Sequence, residues 1–339
     1  MNFYTQTKVI QFLLLIRDND IFNVKESNFE QLALEIFNKQ FNENIIYQQF
    51  CKLLNKLPKS VKSLEQIPFL PISFFKSHRV ICNKDYQICF TSSGTTSTLT
   101  SHHYVKSEQI YQTSFLKGFQ KFYSNPNEYC ILGLLPSYLE RNGSSLIYMV
   151  NELIKKSTHP LSGFFLNNKE HLFSRLQVLK KQNQKTILIG VSFALLDFIE
   201  TYHFSSYNNL IIMETGGMKG KRVELTREEL HSQLKSGFNC QTIHSEYGMT
   251  ELLSQAYSNG KGIFQTPPWM KILIRDTTDP MSYLSKGRTG GINVIDLANR
   301  YSCSFISTQD LGQKIDSNQF KVLGRFDHSD IRGCNLLVI

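Results

Sequence analysis

Three short segments carry the residue types that nucleotide and phosphate chemistry needs. Thr91-Ser92-Ser93-Gly94-Thr95-Thr96-Ser97-Thr98 sets seven hydroxyls around one glycine. Such a loop wraps phosphate oxygens with backbone amides and hydroxyls, and the glycine permits close approach. It lacks the GK[ST] ending of a Walker loop, and alone it reads equally as a solvated turn. Met213-Glu214-Thr215-Gly216-Gly217-Met218 puts a glycine pair at the carboxyl end of an apolar run. Open α/β sheets bind ligands there, and a planar group can lie against bare backbone; alone the segment is a turn leading into a helix. His244-Ser245-Glu246-Tyr247-Gly248-Met249-Thr250-Glu251 offers an aromatic face, a hydroxyl and a carboxylate. Those groups suit base stacking, phosphate contact and magnesium ligation, although a loop around a core tyrosine has the same composition.

The elements that must position these segments alternate. Apolar runs at 87–90, 129–134, 186–189, 210–213 and 242–244 are separated by helical stretches such as 108–122 and 226–234. Alternation of this kind predicts a largely parallel sheet with covering helices. After about residue 268 the runs shorten, at 271–274, 291–295, 304–306 and 320–323, and the tail reads as β-rich. Residues 1–85 read as a helical segment, with Leu32, Ile36 and Phe37 at helical spacing. Pro68 and Pro71 lead the chain out of it, since proline cannot sit in a helix interior. Residues 86–339 then form one catalytic domain, without internal repeat or low-complexity tract.

Composition fits a soluble globular chain, with 41% hydrophobic and 19% charged residues in 339. The net charge of +9 suits anionic ligands. The basic residues are dispersed and no nucleic-acid motif accompanies them, so a solvated lysine-rich surface is favoured over a nucleic-acid partner. Seven scattered cysteines without metal-binding spacing read as reduced thiols in the cytoplasm. The apolar run at 12–16 is too short to span a membrane and reads as part of an amphipathic first helix.

Taken in order, the three segments resemble the hallmarks of the adenylate-forming superfamily, which includes acyl-CoA synthetases, luciferase and peptide-synthetase adenylation domains. Thr308-Gln309-Asp310-Leu311-Gly312 and Gly324-Arg325-Phe326-Asp327 extend the match. The closer resemblance is to LuxE-type acyl-protein synthetases, through FTSSGTTS with Ser101-His102-His103-Tyr104-Val105, ETGGMKGKRVELTREELH, SEYGMTELLSQAY and DIRGCNLLV. It implies an α/β adenylate-forming large domain with mixed sheets, and a mobile C-terminal domain missing or vestigial. It also implies a reaction: a fatty or other carboxylic acid and ATP form an acyl-adenylate. The acyl group then moves to an enzyme cysteine and on to a partner such as a reductase or carrier protein.

The resemblance also implies roles. Thr91, Ser92, Ser93, Gly94, Thr95 and Thr96 take the β- and γ-phosphates, Thr250 the α-phosphate and Glu251 the Mg2+ ion. Tyr247, with Glu214, Gly216 and Gly217, takes the adenine, and Asp310 and Arg325 take the ribose. The family places its acylated cysteine near the C-terminus, which points to Cys334; Arg332 and Arg325 can lower its pKa, and a small buried hydrophobe is the competing reading. His102 and His103 fit either a phosphate contact or no role. The chain departs from the superfamily where Ser97 replaces a loop glycine and no lysine appears until Lys106. Two alternatives stay open: a ligase using coenzyme A or a carrier-protein thiol, and a nucleotide-binding subunit without catalysis.

Overall fold

Thr186–Val191 is buried along its whole length, as an apolar strand must be when helices cover both faces of a parallel sheet. The computed structural model describes residues 17–92, 100–136, 143–217, 222–223 and 225–325. The expected helix around 12–16 lies outside them.

In chain order the strands are β1 (Leu70–Pro71), β2 (Ile88–Thr91), β3 (His102–Val105), β4 (Cys130–Leu134), β5 (Gly163–Phe164), β6 (Thr186–Val191) and β7 (Leu210–Thr215). They continue as β8 (His244–Tyr247), β9 (Ala256–Ser258), β10 (Ile263–Gln265), β11 (Met270–Arg275), β12 (Thr289–Asp296), β13 (Phe305–Asp316) and β14 (Gln319–Arg325). Twelve of them join one sheet, in the order β11-β12-β13-β14-β10-β9-β8-β7-β6-β4-β5, with β1 beside β13. The β5-β4-β6-β7-β8 portion is parallel; from β8 onward the pairs along this path are antiparallel. The parallel body and the β-rich tail are therefore two halves of one mixed sheet. Strands β2 and β3 form a separate hairpin.

Helices α1 (Asp18–Phe22), α2 (Glu26–Glu43), α3 (Ile45–Leu53) and α4 (Phe74–Ser77) precede that hairpin. Helices α5 (Glu108–Tyr123), α6 (Ser145–Ser157), α7 (Lys169–Lys181), α8 (Ser192–Thr201) and α9 (Arg227–Phe238) connect the strands of the parallel half. Their starts follow capping chemistry. Ser107 accepts from the Ile110 amide, and Thr226 accepts from the Glu229 amide while Glu229 bonds back to Thr226.

The expected strand at 242–244 is displaced: β8 runs over His244–Tyr247 and includes polar Ser245 and Glu246, both buried. Partners on β7 and β9 extend the ladder past the apolar run, which a hydrophobic pattern does not show.

On α2 the residues Phe29, Leu32, Ala33, Ile36, Phe37 and Phe41 form the buried stripe. Gln40 lies in the same stripe. Its side chain donates to the Asn299 carbonyl at 3.0 Å and accepts from the Ser304 amide at 3.0 Å. Asn44 caps α3 and donates to the Ser302 carbonyl at 2.9 Å. The first helices are thus fastened to the β12–β13 connection, a segment that also builds the site.

Candidate active site

Residues at the base of the hydroxyl-rich loop are tied together. Thr91 pairs with His102 across the β2–β3 hairpin. Ser92 donates its amide to the Ser101 carbonyl at 3.2 Å and accepts the Ser101 amide on Oγ at 2.9 Å. The Thr91 amide donates to the Gly143 carbonyl at 2.7 Å. Ser93, Gly94, Thr95 and Thr96 lie outside the described residues, as does Cys334.

Glu251 comes to this base. Burial raises the pKa of its carboxyl, while the Ser101 side chain, Arg325 and Lys76 act in the opposite direction. The backbone around it is held by two buried side chains. Asn299 donates to the Glu251 carbonyl at 2.7 Å, and His103 places one ring nitrogen 2.8 Å from the Thr250 carbonyl and the other 2.9 Å from Asn299 Oδ1. Burial pushes His103 down to about 4. His103 is a buried positioning residue, while His102 lies half-buried on the other face of β3, stacked on Tyr104.

The loop after Glu251 is clamped by Asp296. Its Oδ2 accepts the Leu253 and Ser254 amides at 2.8 and 3.0 Å, and its Oδ1 accepts the Ser254 hydroxyl at 2.6 Å and the Ala298 amide at 3.1 Å. Burial still pushes this carboxyl up to about 6.

A second group forms where β8 meets the β13–β14 hairpin. Tyr247 donates to Asp310 Oδ2 at 2.8 Å, and Arg325 Nε donates to Asp310 Oδ1 at 3.2 Å. Asp310 and Arg325 are directly opposed in the ladder. Asp310 is buried and Arg325 largely exposed, so the charge pair bridges interior and solvent. The Tyr247 ring is packed edge-on by Phe264 and Phe320.

Glu214 sits differently. It is buried, ion-paired with Arg227, and 3.4 Å from His231 Nε2. Its carboxylate faces α9, and its neighbours Gly216 and Gly217 are exposed beyond the end of β7. Gly216 has φ +67°, a value glycine tolerates without strain, and its carbonyl accepts from Ser192 at 2.9 Å.

The structure thus assembles Thr91, Ser92, Thr250 and Glu251 at one locus and Tyr247, Asp310 and Arg325 at another, joined by the short stretch from Tyr247 to Glu251. Ser101, His103, Asp296 and Asn299 complete the setting. No motif marks Asp296 or Asn299; the one local signal is Asp296 before a turn, where a carboxylate caps free amides. Among the described residues no group of three or more His, Cys, Asp or Glu could enclose a metal, and no helix is long and apolar enough to cross a membrane.

Solved structures share this fold. An open conformation of 2-hydroxyisobutyryl-CoA ligase in complex with 2-HIB-AMP and CoA is 11% identical, with a TM-score of 0.65 over 89% of this chain and 70% of that one. The same ligase in the postadenylation state with R3-HIB-AMP is 10% identical, with a TM-score of 0.67 over 93% and 74%. ATP-bound MatB from Rhodopseudomonas palustris is 14% identical, with a TM-score of 0.52 over 72% of this chain and 49% of MatB. At these identities the likeness is one of fold: a mixed α/β domain of the adenylate-forming ligase type. No curated protein matches the sequence. A family model described as "Acyl-protein synthetase, LuxE" matches residues 15–339. The chain therefore belongs to the LuxE acyl-protein synthetase family, among the adenylate-forming acyl ligases.

Proposed function

We propose that the chain activates a fatty acid with ATP and passes the acyl group to a thiol. A carboxylate oxygen attacks the α-phosphorus, the bond to the pyrophosphate oxygen breaks, and acyl-adenylate and pyrophosphate form. A thiolate then attacks the acyl carbonyl and AMP leaves. Both steps depend on positioning and on charge stabilisation.

The observation that carries this reading is the contact of His103 on β3 with the Thr250 carbonyl, at 2.8 Å. It sets the end of the Tyr-Gly-Met-Thr-Glu motif against the base of the hydroxyl-rich loop. In this reading Thr91, Ser92, Ser93, Gly94, Thr95 and Thr96 hold the β- and γ-phosphates and Thr250 the α-phosphate. Tyr247, Gly216 and Gly217 take the adenine, with Glu214 supporting that edge through Arg227. Asp310 and Arg325 take the ribose.

Glu251 fits a magnesium ligand. Its buried carboxyl has no basic side chain within ion-pair distance among the described residues, and its pKa is raised for want of solvation. When bound, Mg2+ supplies neutralisation of the triphosphate charge.

The acyl acceptor in this reading is Cys334, followed by a partner protein such as a reductase or carrier. Burial supports that choice among the seven cysteines. It pushes Cys51 and Cys82 up to about 12 and Cys130 to about 11, and it raises Cys89, Cys240 and Cys303 as well. None of these six is a ready thiolate. Unpaired thiols and ATP use support a cytoplasmic location.

The test is to incubate the protein with ATP, Mg2+ and labelled fatty acid and to map hydroxylamine-sensitive label. We expect label on Cys334 that disappears in Cys334→Ser while ATP–pyrophosphate exchange persists. Exchange without protein label points to a soluble thiol such as coenzyme A, and absence of exchange with every acid overturns adenylation.

A further inference from the structure

Large apolar side chains left in water are concentrated in one place. Four of the nine among the described residues, Ile45, Leu53, Leu54 and Leu57, fall between positions 45 and 57, and Leu53 is 86% exposed. Helix α3 explains two of them. Tyr47 and Cys51 form its buried face, so Ile45 and Leu53 share the opposite side with Lys52. The chain then turns tightly. Asn55 takes φ +52°, its amide donates to the Lys52 carbonyl at 3.0 Å, and the Lys56 amide donates to the Cys51 carbonyl at 2.9 Å. Leu57 is fixed next. Its amide donates to Ser60 Oγ at 3.1 Å, and that hydroxyl donates back to the Leu57 carbonyl at 2.9 Å. Buried Cys51 on one side and buried Val61 and Leu64 on the other anchor the turn.

The charge around these leucines is of one sign. Lys52, Lys56, Lys59 and Lys62 stand among them, and no aspartate or glutamate occurs from 44 to 64. Lys52 donates to Gln48 Oε1 at 2.9 Å, and none of the four is ion-paired among the described residues. Other lysines do hold carboxylates, as Lys39 holds Glu43 and Lys185 holds Glu128. Exposed apolar surface is unfavourable in proportion to its area, and clustered charges of one sign attract an opposite surface. Hydrocarbon lying beside anionic groups satisfies both at once.

We propose that the end of α3 and the turn after it dock on an anionic lipid surface, with Leu53, Leu54 and Leu57 entering the acyl boundary and the lysines meeting the phosphate headgroups. The inference does not depend on the adenylation reading. A basic helix end bearing leucines lies in the plane of the interface, and no described helix is long and apolar enough to cross a membrane. Lysine stems run along apolar surface while their ammonium groups reach outward to the headgroups. Leucines projecting from a turn enter a fluid interface directly, whereas an acidic protein would have to supply a matching groove. Fatty acids collect in the same surface, so docking brings the chain to the substrate class proposed above.

The experiment measures sedimentation of the full chain with vesicles of phosphatidylcholine alone or mixed equally with phosphatidylglycerol. We expect binding to the mixed vesicles only. Leu53→Ser with Leu57→Ser should weaken it at least about tenfold, and Lys52→Gln with Lys59→Gln by a similar factor, about tenfold or more. Lys117→Gln with Lys121→Gln, at exposed positions of α5, should change it little. Both leucines already stand in water, so the serine pair keeps the wild-type melting temperature. Leu53→Trp adds a local readout: its emission should shift to the blue with mixed vesicles, since the one native tryptophan, Trp269, is buried throughout. No binding to mixed vesicles overturns the inference. Binding that the leucine pair leaves unchanged, or that the α5 pair weakens equally, is attraction to net charge alone and also overturns it. Capture by an acidic Glu/Leu helical peptide in place of vesicles overturns it in favour of an acidic protein. ATP–pyrophosphate exchange with a soluble acid is scored separately, so adenylation stands or falls by itself.

Discussion

Asp310 accepts hydrogen bonds from two residues far apart in sequence, Tyr247 on Oδ2 and Arg325 on Oδ1. Each oxygen keeps lone pairs to spare, so the carboxylate can hold ribose hydroxyls without releasing either partner. Asp310→Ala removes a charge-assisted acceptor and leaves the Tyr247 hydroxyl buried without one. The expected loss is about 1.5–3 kcal/mol of ATP binding, roughly 10- to 150-fold in ATP affinity. Tyr247→Phe retains the carboxylate and should cost far less. Titration of both variants with ATP distinguishes the cases: unchanged affinity in Asp310→Ala would remove the ribose assignment. These positions were legible because motif and order mark them. His103 and Asn299 were not, because a lone histidine or asparagine does not announce which backbone it holds.

The segment after Glu251 has no regular structure of its own, so its shape depends on Asp296 at the end of β12. Four hydrogen bonds converge on that one carboxylate. Asp296→Ala leaves the Leu253 and Ser254 amides buried and unpaired, at roughly 1–3 kcal/mol each. We expect a stability loss of at least about 2 kcal/mol in urea unfolding, together with slower exchange as Glu251 loses its support. A variant with the wild-type midpoint and rate would show that the loop holds itself. At this scale the parallel half of the sheet was readable from alternation of apolar runs and helices. The displacement of β8 was not, because Ser245 and Glu246 are buried polar residues whose strand identity comes from β7 and β9.

Across the whole molecule, buried titratable groups pull stability in opposite directions. Glu246 is raised from 4.5 to about 7 and Asp296 from 3.8 to about 6, both by burial. Between its two values each binds more protons folded than unfolded, so its share of stability falls as pH rises. His103 and His244 are lowered from 6.5 to about 4 by burial; unfolded they bind the extra proton, so their share rises with pH. Glu246→Gln removes one falling contribution. The variant should match wild type near pH 4.5 and gain on it toward pH 8, on the order of 2–3 kcal/mol at full extent. Denaturant melts at the two pH values check this; a gap independent of pH would contradict it. One more consequence follows from Gln40. Its buried amide finds its partners only at Asn299 and Ser304, 259 and 264 residues later, and Asn299 in turn holds Glu251 and His103. At a synthesis rate of about 5–20 residues per second, the interval between making the helix and making its anchor is roughly 13–50 s. The first helices therefore leave the ribosome well before their dock exists, and the site becomes competent only after that late segment arrives.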